Sequence, residues 1–209
     1  NSLSKRIEYF IEAGKHLQTE VRFMTYGELF NCLPQLRQAV IKLEPCVSDE
    51  TDFQKYALLN QAYKETLQRL GEMRLSDDVC FLNTPHALLR ALDKKDTKQV
   101  LVDRGLRVTP MLPSPHSFDE LRELLAGCGR GCFLKPRYGS GAGGIMAVRY
   151  QPSRNKWVVY TTLQQVDGVI HNTKRIHRLS TEKEMIPLAE AVMQTEAILE
   201  EWIPKEQLQ

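Results

Sequence analysis

The segment Phe133-Leu134-Lys135-Pro136-Arg137-Tyr138-Gly139-Ser140-Gly141-Ala142-Gly143-Gly144-Ile145 holds the residue types that bind phosphate. A short apolar run delivers a lysine, a loop of small residues follows, and a second apolar run returns. Glycines at 139, 141, 143 and 144 let backbone N–H groups turn inward and approach anionic oxygens with no Cβ in the way. Lys135, at the end of the first run, places a point charge on the same oxygens. The pattern is neither a P-loop nor a dinucleotide fingerprint, because a strand rather than a helix follows the loop. Taken alone, such a hairpin also serves as a plain tight turn.

Other reactive side chains offer less. Five cysteines (Cys32, Cys46, Cys80, Cys128, Cys132) form no framework, which fits free thiols in a reducing cytoplasm. Cys128 and Cys132 flank Gly-Arg-Gly, but no second pair or nearby histidine completes a zinc set, so they read as small residues beside a strand. His171 and His177 lack helical ligand spacing. The basic run from Asn172 to Arg178 reads as a solvated loop, with contact to an acidic substrate or phosphate as its alternative. Ser4-Lys5-Arg6 sits where open α/β sheets bind ligands, and Ser4 serves equally as a helix cap.

These residues need elements to position them, and the 209-residue chain is long enough for one large or two modest domains. Helices are expected over about 4–16, 27–33, 53–70, 85–93, 94–104, 118–125 and 180–194 from apolar spacing and end signals. Strands are expected at 20–24, 39–43, 79–82, 132–135, 144–150, 156–162 and 197–203. Residues 109–116, with three prolines and a serine, read as a linker. Strand–helix alternation in the first half argues for a parallel sheet covered by helices, opening without its first strand. With 28 basic and 26 acidic residues interspersed, a net charge of +2 gives no support for a nucleic-acid partner. No apolar run approaches the roughly 20 residues of a membrane span, and no signal peptide opens the chain.

Two further segments give the lysine and loop a context. Asp93-Lys94 opens a helix that ends at Gly105 and leads to Val108-Thr109-Pro110. Ile198-Leu199-Glu200-Glu201-Trp202-Ile203-Pro204 is a strand that breaks at a proline. In this order, over about residues 81–204, the chain resembles the ATP-grasp superfamily, and is most similar to a poorly characterised bacterial group within it. The resemblance implies an α/β chain with an N-terminal parallel-sheet domain (1–108, including the Asp-Lys helix), a linker and helix (109–130) and an α+β nucleotide-binding subdomain (131–204). It implies that Lys94 and Lys135 contact ATP phosphates. Gly139, Ser140, Gly141, Gly143 and Gly144 would form a flexible lid in which Ser140 donates a hydrogen bond. The hinge would be Glu200, Glu201, Trp202 and Ile203, with an acidic side chain or carbonyl accepting from the adenine amino group and the Ile203 N–H donating to the ring. Trp202 is expected to pack at the subdomain junction.

The same resemblance implies an ATP- and magnesium-dependent ligase that activates a carboxylate as an acyl phosphate for attack by an amine or thiol. A catalytically inactive nucleotide-binding regulatory module and an ATP-grasp kinase stay open as alternatives. Magnesium ligands of that family lie on strands after the hinge. They, the catalytic residues and a ribose-binding acid (unless Glu206 serves) are expected beyond Gln209, in a C-terminal subdomain that residues 205–209 would begin. Residues 1–209 are accordingly expected to bind ATP weakly, to hydrolyse none, and to expose an apolar face near Ile203 and on the inner side of the strands from Gly131 to Thr162.

Overall fold

A computed structural model describes residues 5–45, 50–139 and 141–203, the side chain of Lys174 excepted. Expectations resting on Ser4, Cys46, Ser140, Pro204 and Glu206 lie outside the described residues.

The N-terminal helices begin where short polar side chains satisfy their free amides. After α1 (Lys5–His16), Thr25 and Glu28 cap α2 (Tyr26–Cys32) reciprocally. β1 (Ala39–Ile41) pairs in parallel with β2 (Val79–Phe81), and the crossover between them contains α3 (Phe53–Glu72). The Asp52 carboxylate accepts from the Gln54 and Lys55 amides to start α3. Tyr63, Leu67 and Leu70 of α3 then meet Leu29 and Leu33 in a small core. α4 (Pro85–Leu92) and α5 (Lys94–Asp103) share one residue at their junction: Asp93 ends the first and caps the second.

Residues 20–24 alternate like a strand, yet form none. Val21 packs on Gly14 of α1 instead, so tightly that a Cβ at Gly14 would stand 2.3 Å from a valine methyl. Of the apolar residues that helical spacing puts on one face of this stretch, Ile7 and Ile11 are half-buried, whereas Phe10 and Leu17 are 47% and 75% exposed.

The second sheet has six strands: β3 (Met111–Leu112), β4 (Cys132–Pro136), β5 (Met146–Gln151), β6 (Lys156–Val166), β7 (Val169–Leu179) and β8 (Ala197–Glu201). Their spatial order is β3-β8-β4-β5-β6-β7, and every pairing is antiparallel. Two helices, α6 (Phe118–Cys128) and α7 (Glu182–Met193), cover one face. Leu121, Leu125, Leu188 and Val192 bury themselves there against Leu134 and Val159, each worth about 1.5–3 kcal/mol. Phe53, at the start of α3, also joins this core, so α3 ties the two sheets together.

Two segments differ from expectation. Residues 109–116 are not merely a linker, since Met111 and Leu112 pair with Glu200 and Leu199 at the sheet edge. An edge strand tolerates flanking prolines because its outer side needs no amide donors. The basic run Asn172–Arg178 is not a loop but the middle of β7, paired with β6 across a hairpin that turns at Asp167-Gly168. Its outer residues Arg175, Ile176 and Arg178 are exposed, so the run carries none of the apolar alternation that marks a half-buried strand. The chain is therefore mixed α/β, with a small parallel sheet and a larger antiparallel one. No helix among the described residues is long and apolar enough to cross a membrane.

Candidate functional site

Strand alternation aims Lys135. Cys132, Leu134 and Pro136 of β4 are buried toward α6 and α7, so Phe133 and Lys135 face the other way. On the adjacent β8, Glu200 stands opposite Phe133 and Ile198 opposite Lys135. Opposed residues share a face, which makes Lys135 and Glu200 diagonal neighbours on the side away from α6 and α7. Lys135 Nζ forms an ion pair with Glu200 Oε1. Lys98, one turn into α5, pairs with Glu200 Oε2 and donates to the Thr109 carbonyl at 2.9 Å. Thr109 Oγ1 lies 3.3 Å from the same carboxylate oxygen.

Glu200 is only 6% exposed. Burial would push its carboxyl up, but the Lys135 and Lys98 ammoniums outweigh that and hold it below the ordinary glutamate range. Asp93 follows the same logic: burial raises it, while the Arg137 guanidinium and the amides of Asp96 and Lys95 bring it below the aspartate range. That pair is bidentate, with Arg137 Nε and Nη2 donating to Asp93 at 2.8 and 2.6 Å. Asp93 is thus matched to Arg137, while Lys98 and Lys135 bring two cations to the one carboxylate of Glu200. Lys94 is close enough to sense Lys135 and Glu200. Burial pushes its ammonium down to about 8, the Lys135 charge adds to this, and Glu200 and Asp93 oppose it.

The loop after Lys135 needs its glycines for two different reasons. Gly139, Gly141 and Gly144 have φ of 105°, 71° and 72°, the left-handed region that side chains enter at a cost. Gly141 has open space around it, whereas Cβ atoms at Gly143 and Gly144 would stand 2.5 Å from Tyr56 and Phe53 of α3. The far half of the loop is therefore seated on α3, and does not stand free of it as an open flap would. Gly141→Ala is expected to cost about 1 kcal/mol from backbone strain alone. Gly144→Ala, at nearly the same φ, should cost about 1 kcal/mol or more beyond that, because the ring of Phe53 and Pro136 must move. Urea unfolding of the two variants reads the difference directly, and equal costs would mean the loop is not packed there.

No family model, curated protein or solved structure matches the chain, so its chemistry rests on its own side chains. Among the residues singled out from sequence, Lys135 and Glu200 come together and Lys94 lies beside them. Its Nζ is directed at loop carbonyls, those of Pro136, Arg137 and Gly139, at 3.0, 3.3 and 2.8 Å. Trp202 packs on Phe133 with ring centroids 5.5 Å apart, and Arg149 lies over its indole at 4.9 Å. Glu201 does not enter this face: it pairs with Cys132, and its carboxylate meets Arg130 at 3.3 Å. Ile203 is 55% exposed. The face expected to be apolar there is mixed, with Phe133 and Ile198 alongside Lys135 and Arg149.

Sequence reasoning missed Lys98, Thr109 and Asn172, the last of which accepts the Gly144 N–H at 3.3 Å. The available signal for Lys98 was its spacing, four residues after Lys94 on one helix face. Among the described residues no group of three or more His, Cys, Asp or Glu side chains is placed to hold a metal ion. His171 and His177 engage Thr51 and Thr173 instead, and Cys128 and Cys132 lie 3.8 Å apart as thiols.

Proposed function

We propose that this chain is the ATP-binding part of an ATP-grasp ligase that joins a carboxylate to an amine or thiol through an acyl phosphate. The observation that carries the reading is the excess of cations over one buried carboxylate, set beside a glycine loop on a sheet face. Lys98 and Lys135 share Glu200, so a polyphosphate bringing several negative charges would offer each lysine a stronger partner than half a carboxylate. Phe133 and Trp202, their rings tilted by 48°, continue the same face and offer a base aromatic surface to pack against. The order of motifs along the chain, Asp-Lys helix, lysine strand with loop, acidic-aromatic strand, supports the family assignment.

In such a ligase the γ-phosphoryl group passes to the substrate carboxylate, ADP departs, and the amine or thiol then displaces phosphate from the acyl carbon. The residues here hold and orient the donor: Lys98 and Lys135 neutralise phosphate charge, and the loop N–H groups fix its oxygens.

Titration of the 209-residue chain by calorimetry tests the reading. ATP is expected to bind more tightly than AMP and adenosine, with affinity falling as salt rises, since the contacts are charge on charge. Equal binding of ATP and adenosine, or affinity indifferent to salt, would show that the lysines hold no phosphate.

A further inference from the structure

The resemblance casts Lys94 as a phosphate ligand, but its surroundings in the fold are those of a group already engaged. Lys94 is the first residue of α5, at the positive end of the helix dipole, where an ammonium is unfavourable unless something nearby compensates it. The compensation is backbone. Three carbonyl oxygens, of Pro136, Arg137 and Gly139, lie 2.8–3.3 Å from its Nζ, one for each N–H the ammonium carries. The Lys94 backbone N–H adds a fourth link, donating to the Arg137 carbonyl at 3.2 Å.

The neighbouring residue completes the arrangement with opposite charge. Asp93 takes the Arg137 guanidinium through two hydrogen bonds, and Tyr138 donates its hydroxyl to the same carboxylate at 3.3 Å. The Asp93-Lys94 dipeptide thus grips residues 136–139 twice, the aspartate by side chains and the lysine by main chain. At the far end of the loop, Asn172 Oδ1 accepts the Gly144 N–H, and the Thr162 hydroxyl lies 2.8 Å from the same oxygen.

From this geometry we infer that Lys94 is a positioning residue and not a phosphate ligand. Its ammonium holds the carbonyls at the entry to the glycine loop turned toward α5. In a trans peptide the C=O and N–H point to opposite sides, so holding the Pro136 and Arg137 carbonyls turns the N–H groups of Arg137 and Tyr138 away from the Lys94 ammonium. The entry to the loop is thereby presented with its amides in a fixed direction, and direct charge for an anion is left to Lys98 and Lys135. The consequence for ATP rests on the proposed function; the positioning itself does not, and its test requires no nucleotide.

Hydrogen exchange and lysine-selective NMR on the nucleotide-free 209-residue chain distinguish the two roles. In the wild-type chain the Lys94 ammonium should exchange its protons with solvent slowly enough to be observed at low temperature and mildly acidic pH, unlike the exposed Lys95. In Lys94→Met, amide exchange at residue 94 and at Gly144 should accelerate by about 10- to 100-fold, the effect of losing a charge-assisted hydrogen bond. The amide of Val159, deep in the sheet, should be unchanged. Lys94→Gln, which keeps one N–H donor group, should fall between the two. A Lys94 ammonium that exchanges as fast as that of Lys95 would overturn the inference. So would unaltered loop exchange in Lys94→Met accompanied by weakened ATP binding, which is the behaviour of a phosphate ligand. If Lys94→Met does not fold, the wild-type ammonium measurement and Lys94→Gln still separate a positioning residue from a ligand.

Discussion

Glu200→Ala is expected to destabilise the fold by about 3–5 kcal/mol, the usual cost of stripping one partner from a buried charge pair. The side chains of Glu200, Lys98 and Lys135 are 8%, 14% and 20% exposed. Removing the carboxylate leaves two ammoniums side by side with little water to screen them. The loss should therefore be recoverable by an anion: millimolar inorganic triphosphate should raise the urea midpoint of Glu200→Ala more than that of wild type at matched ionic strength. The wild-type pH dependence has a defined sign. The Glu200 carboxyl is held below its ordinary value of 4.5 in the folded state. Its contribution is complete above the unfolded value and disappears as pH falls through the lower folded value. The gap between wild type and variant should hence narrow on acidification below about 4.5. A variant with the wild-type urea midpoint at neutral pH would mean that the three charges do not form the cluster described.

What the sequence made legible, and what it hid, follows from where each signal lies. α3 was readable because Tyr56, Leu59, Leu67 and Leu70 recur at helical spacing, and all but the exposed Leu59 pack on a core. Lys135 was readable because an apolar strand and a glycine loop bracket it. Lys98 was not: an exposed helical lysine and one aimed at a buried carboxylate have the same neighbours in sequence, and Glu200 meets it beside Thr109, where β3 pairs with β8. The two glutamates of β8 show the same limit. Glu200 and Glu201 are indistinguishable by type, and strand alternation with the observed register decides that Glu200 enters the lysine cluster while Glu201 goes to Arg130. β3 escaped notice because two residues among prolines carry no period. The glycines of the loop were recognised as backbone freedom, yet Gly143 and Gly144 are also required by α3, a contact made by residues far apart in the chain.

Lys135→Ala is expected to weaken ATP binding by about 1.5–3 kcal/mol, roughly 10- to 100-fold, the range for hydrogen bonds to a charged group. Lys98→Ala should match it, since both ammoniums address the same carboxylate and would turn to the same polyphosphate. Neither loss should extend to adenosine, which carries no phosphate for them to hold. The two variants should also be non-additive, because each leaves Glu200 to pair wholly with the remaining lysine and so withdraws that lysine from the ligand as well. The double variant, with both cations gone and Glu200 buried alone, should fold less stably and bind ATP no better than AMP. Calorimetric titration of wild type, both single variants and the double variant with ATP, AMP and adenosine measures all of this in one series. Full retention of ATP affinity in Lys135→Ala would remove this sheet face from nucleotide binding. Equal losses for ATP and adenosine would instead assign Lys135 to the fold alone, as the counter-charge that lets Glu200 be buried.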